Sequence, residues 1–169
     1  PIVYLDSACM SLKPRQVIEA SNEYYEKFPG CGGRSSHRFA RTVTEKVQES
    51  REAAAKFLGA KRKEEIVFTK NTTESINKLA HRIDFAPDDI VLRSIMEHHS
   101  NDLPWRMNAK VEYININPHG GLDLDHLDQL IAKFSHRIRL IAISGASNVT
   151  GYLNPIHEIA RKAHAIGVE

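Results

Sequence analysis

From Lys61 onward the chain alternates short β-rich runs with helical patterns, and this rhythm limits the available folds more than any other feature. "EIVFT" (Glu65–Thr69) is predicted as a buried strand, followed by a helix near Thr73–Arg82. "DIVLRS" (Asp89–Ser94) is the next strand, and a helix containing Trp105 follows its polar turn. "KVEYINI" (Lys110–Ile116) is a third. In the segment after it, Asp123 or Asp125 can cap a helix with Leu124, Leu127, Leu130 and Ile131 on one face. "IRLIAIS" (Ile138–Ser144) is nearly all apolar and is expected at the centre of the sheet. Asn154 is expected to cap a last helix, with Pro155 in its first turn and Gly167 past its end. Repeats of this kind specify an α/β fold with a doubly wound, mostly parallel sheet and flanking helices.

The first 60 residues follow a different pattern. Gln16–Phe28 and Val43–Gly59 are amphipathic helices around "PGCGGRSSHRFA" (Pro29–Ala40), a loop rich in Gly, Ser and Arg. The domain expectation is therefore a helical segment with a loop over residues 1–60 and an α/β domain over 61–169. Arg34, His37, Arg38 and Arg41 of the loop are either solvated or folded over an anionic ligand. The chain starts at proline and stops at "GVE", two residues past the glycine that ends the last helix, where another strand is due. A portion of a longer protein is expected.

With 169 residues there is enough chain for a real core, and 41% apolar and 26% charged residues fit a soluble globular class. A net charge of +2, without a basic cluster interleaved with aromatics, argues against a nucleic-acid partner. No apolar run approaches the ~18 residues of a membrane span, so no membrane partner is expected. Cys9 and Cys31 form no short-spaced framework, which favours a reducing, cytoplasmic setting.

Ligands of doubly wound sheets bind beyond the carboxyl ends of the strands, and three strands here end in polar turns. In "NTTE", Asn71 and Glu74 stand in N-cap and N3 relation and can close a helix without any ligand. Thr72 and Thr73 add two hydroxyls at a positive helix end, which suits a phosphate. No Walker loop or GxGxxG is present, so a nucleotide is not the natural candidate. In "MEHHSNDLPW", adjacent histidines lack metal-ligand spacing. His98 is either an ordinary loop histidine or a flat ring stacked on a heteroaromatic cofactor. In "SGASNVTGYLNP", Asn148 is either a turn former or an amide that bonds an oxygen on a bound ring. A phosphorylated, planar cofactor would use all three turns.

The stretches "YLDSACMSLKP", "GRSSHRFA", "EIVFTKNTTESIN", "MEHHSNDLPW" and "SNVTGYLNPI", in this order and spacing, resemble the class V aminotransferases. These are pyridoxal-phosphate enzymes of fold type I, and within them the chain resembles the cysteine desulfurase and selenocysteine lyase group. The resemblance implies part of the large domain, incomplete at its C-terminus. It implies that Thr72 and Thr73 hold the phosphate of pyridoxal 5'-phosphate, that His98 stacks on the pyridine ring and that Asn148 approaches the 3-oxygen. His37 and Arg34 are implied on the substrate side or toward a partner subunit's site. Asn71 replaces the glycine common before the two threonines. The implied activity is sulfur removal from L-cysteine onto an enzyme thiol, in a homodimer that passes sulfur to an acceptor protein. Selenocysteine lyase, a related class V enzyme and a non-catalytic or split half remain as alternatives. Neither the Schiff-base lysine nor the acceptor cysteine has a counterpart among these residues, so no catalytic residue and no metal ligand is expected. The chain alone is expected to be inactive.

Overall fold

The computed structural model describes residues 2–169. The chain divides into two compact units, Pro1–Phe68 and Thr69–Glu169. In the first, α1 (Arg15–Lys27) has no buried residue, whereas α2 (Arg38–Leu58) buries Ala40 and Ala55. Helix α2 begins inside the stretch expected as loop. The His37 side chain caps it, with Nδ1 accepting from the Ala40 N–H at 3.4 Å. At its other end Gly59 takes φ 72°, a left-handed C-cap suited to glycine.

The expected strand Glu65–Thr69 does not form. Lys63–Glu65 make a 3-10 turn, with Lys63 Nζ 2.6 Å from Glu52. Ile66 is extended, yet Val67 is 73% exposed, and no ladder partner stands beside this segment among the described residues. β-branched residues favour the extended backbone, but a strand exists only beside another strand.

The second unit holds a three-stranded sheet in the order β2-β1-β3, with β1 (Ile90–Ser94), β2 (Lys110–Ile114) and β3 (Ile138–Ala142). Both pairings are parallel, with Val91 opposite Val111 on one side and Leu140 on the other. Helices α3 (Thr72–Ala80) and α4 (Leu103–Asn108) cover one face, where Ala80, Val91, Trp105 and Ala142 pack together. Helices α5 (Leu124–Phe134) and α6 (Ile156–Ala165) cover the other. There Ile90, Leu92, Ile114, Leu127, Leu130 and Ile159 form the larger core. The alternation of Val91 against Ile90 and Leu92 is the period-two side-chain pattern of a strand buried on both faces. The result is the doubly wound arrangement expected from the sequence.

Two details differ from expectation. The fully buried central strand is β1, not β3. The apolar run of β3 reflects cover on two faces, which says nothing about which edges are bonded; its Ile141 N–H donates to the Glu169 carbonyl at 2.9 Å. Asn154 also does not cap α6, whose N-cap is Pro155 without a side-chain bond. The Asn154 side chain instead accepts from Leu122 N–H and donates to the Ser144 carbonyl at 2.8 Å, pinning two loops together. Asp123 caps α5 by accepting from His126 N–H at 2.9 Å.

Candidate functional site

Helix α3 runs into the chain segment that leads to β1, so its N-terminus points toward the carboxyl end of the sheet. It packs against α4 and the 3-10 turn His99–Asn101 that follows β1. Asn71 is its N-cap, and Oδ1 accepts from Glu74 N–H at 2.9 Å. Glu74 returns its own bond to Lys70 N–H at 2.7 Å, one residue earlier than a capping box would place it. The Lys78 ammonium, 2.8 Å away, and the Lys70 N–H hold the Glu74 carboxyl below its ordinary range. Thr69 and Ser75 join hydroxyl to hydroxyl at 2.6 Å beside the cap. The hydroxyls of Thr72 and Thr73 are exposed and have no partner among the described residues. A first-turn position with spare donors is suited to an anion.

The neighbouring strands β1 and β3 send their chains to opposite faces of the sheet. The connection from β1 leads to α4 on the Trp105 face, and that from β3 leads to α6 on the Ile159 face. Such a divergence opens a crevice at the carboxyl ends. On the β1 side, the exposed His98 caps the 3-10 turn. Its Nδ1 accepts from Ser100 N–H at 3.1 Å and lies 2.9 Å from Ser100 Oγ, which fixes the ring's orientation, and Nε2 has no hydrogen-bond partner among the described residues. On the β3 side, Asn148 is exposed on a loop that Ser147 holds, its Oγ accepting from Val149 and Thr150 N–H. Gly151, at φ 71°, supplies the left-handed turn that brings this loop back.

Arg34 and His37 belong to the first unit. Both are exposed. Arg34 lines an open depression of about 480 Å3 with Ser35, Ser36, Arg41 and Glu45. His37 spends Nδ1 on the helix cap and keeps Nε2 for another partner. Among the described residues, no group of three or more His, Cys, Asp or Glu is arranged to hold a metal. No helix is long and apolar enough to cross a membrane.

Sequence reasoning passed over Glu97. Its Oε1 accepts from Ser94 Oγ and from Ser144 N–H at 3.0 Å, and its Oε2 accepts from Ser144 Oγ and from Asn101 Nδ2 at 2.7 Å. It also passed over Arg93, a charged residue inside the central strand. The side chain of Arg93 is 6% exposed, pairs with Asp102 at 2.6 Å and lies 4.4 Å over the Tyr113 ring. An arginine in the apolar run "DIVLRS" is a visible anomaly, so Arg93 carried a signal. Glu97 carried none, because Ser144 lies 47 residues away.

The chain is similar to known proteins. The aminotransferase class-V family profile matches residues 3–168. A cysteine desulfurase of Enterobacter sp. is 39% identical over 100% of this chain and 43% of its own length. A probable cysteine desulfurase of Streptomyces coelicolor is 35% identical over 98% of the chain and 42% of its own. Among solved structures, the apo cysteine desulfurase of Thermococcus onnurineus superposes with a TM-score of 0.87 at 35% identity, covering 99% of this chain and 42% of that one. The Escherichia coli cysteine desulfurase CsdA gives 0.81 at 36%, covering 98% and 43%. The chain thus spans less than half the length of these relatives. With a profile matched from end to end and the fold shared, the chain belongs to the aminotransferase class-V family.

Proposed function

We propose that the protein is a pyridoxal-phosphate-dependent cysteine desulfurase and that this chain supplies much of its cofactor cradle. The observation that carries the proposal is the set of spare polar groups at the carboxyl edge of one sheet: Thr72 and Thr73, His98 and Asn148. The likeness to cysteine desulfurases over the whole chain supports it. The residues fit the group. A closed helix start with unengaged hydroxyls takes the phosphate, an oriented imidazole takes a ring face and a free amide takes a ring oxygen.

When bound, pyridoxal phosphate supplies an electron sink that weakens bonds at the α-carbon of an amino acid. The chain's own residues bind and orient. Thr72 and Thr73 donate to phosphate oxygens, and the N-terminus of α3 adds its partial positive charge. His98 packs its ring against the cofactor plane, held from turning by Ser100. Asn148 donates its amide to the ring oxygen. Arg34 and His37 are assigned to the substrate side or to a partner subunit's site, where the forked donors of Arg34 suit a substrate carboxylate. No residue of this chain is assigned as Schiff-base lysine or sulfur acceptor. We further propose a homodimer that hands sulfur to an acceptor protein, in a reducing cytoplasmic setting consistent with the free, exposed Cys9 and Cys31.

The test is a titration of the complete protein with pyridoxal phosphate, read in the visible band of the bound cofactor, followed by assay of sulfide release from L-cysteine. Replacing Thr72 and Thr73 with alanine is expected to weaken cofactor binding about tenfold or more, the scale of a lost charged hydrogen bond. Absence of the visible band in the wild-type protein overturns the proposal.

A further inference from the structure

Glu97 stands one residue before His98, and its carboxylate reaches across the crevice between β1 and β3. On one side it takes hydrogen bonds from Ser94, the last residue of β1, and from Asn101 in the turn after His98. On the other it takes both the N–H and the hydroxyl of Ser144, four residues before Asn148. We propose that Glu97 is the positioning residue that sets the spacing between the two cofactor-holding loops. This role rests on the assignment of His98 and Asn148 to pyridoxal phosphate.

The chemistry of the four contacts explains why a carboxylate is needed. All four groups donate to it, two of them (the Asn101 NH2 and the Ser144 N–H) unable to do otherwise, and an ionised carboxylate accepts with both oxygens. A glutamine of the same shape turns an NH2 toward either the Asn101 amide NH2 or the Ser144 N–H, neither of which can accept from it, so at least one of the four bonds is lost and the charge with it. Aspartate is one methylene too short to span both loops. The anchor points are themselves firm. Ser94 is fully buried, and Asn101 accepts from the indole N–H of the buried Trp105 at 2.9 Å. A rigid support of this kind fixes the residues that touch a ligand. Asn154, which donates to the Ser144 carbonyl, holds the same loop from below but makes no bond to the His98 turn beyond Met96.

The experiment compares wild-type complete protein with Glu97→Gln by two measurements. The first is amide hydrogen exchange without cofactor. The expected result is exchange at least about tenfold faster at Ser144 and the loop to Asn148, from loss of one charged hydrogen bond. The second is pyridoxal-phosphate binding with visible circular dichroism of the bound cofactor. The variant is expected to bind about tenfold more weakly and to give an altered dichroic band, since the ring sits differently between the loops. A variant with a lowered melting point but an unchanged band overturns the proposal, because Glu97 is then only structural. So does unchanged exchange. If Glu97→Gln does not fold, Ser144→Ala removes a single bond to Glu97 and is expected to move both signals in the same direction; no movement overturns the role. A wild-type protein that binds no pyridoxal phosphate overturns the cofactor assignment instead, a failure common to every variant.

Discussion

At the start of α3, work is divided among adjacent residues. Asn71 and Glu74 satisfy the backbone N–H groups of Glu74 and Lys70, while the hydroxyls of Thr72 and Thr73, the proposed phosphate donors, have no partner among the described residues. Asn71→Ala is expected to cost about 1 kcal/mol of unfolding free energy, measurable by urea denaturation. The charge on Glu74 makes the same helix start sensitive to acid. Lys78 and the Lys70 N–H stabilise the carboxylate in the fold, so the folded chain releases this proton at lower pH than the unfolded chain. The stability advantage over Glu74→Gln is therefore full above the ordinary glutamate value of 4.5 and shrinks as pH falls through the lower folded value. Denaturation curves at a series of acidic pH values check it.

At the scale of elements, β1 organises the second unit. It bonds to both other strands, is buried throughout and carries Arg93 into the layer beneath α4. Asp102→Ala leaves that guanidinium buried without its partner and is expected to destabilise the unit by about 3–5 kcal/mol. Thermal or chemical unfolding reads the loss. Leu127, fully buried under the sheet, is expected to cost about 2–5 kcal/mol on replacement by alanine. The elements were legible where local chemistry decides them: the apolar run of β1, an aspartate cap on α5 (Asp123 of the two offered) and the glycine past α6. They were not legible where partners decide them. Val67 and Phe68 have the composition of a strand and no pairing strand among the described residues, and Asn154 has the position of a cap while bonding Leu122 and Ser144. The same divide runs through the site. Thr72, Thr73, His98 and Asn148 sit in local motifs and are proposed from those motifs, whereas Glu97 acquires its partners only when β1 and β3 lie side by side.

At the scale of the whole molecule, the two units differ in how much they bury. Among the described residues the first buries only Ala40 and Ala55, while both apolar clusters belong to the second. Expressed separately, residues 69–169 are expected to unfold cooperatively and residues 1–68 to melt gradually, as followed by circular dichroism. Residues 1–169 together are expected to release no sulfide from L-cysteine, as read by a colorimetric sulfide assay. One further property follows from the buried indole of Trp105. It is the single tryptophan of the chain, and its hydrogen bond to Asn101 ties it to the turn after His98. The protein therefore has a built-in optical gauge. Its emission overlaps the absorption of the proposed pyridoxal chromophore, so quenching of the Trp105 signal is the expected mark of a filled crevice, read without any added label.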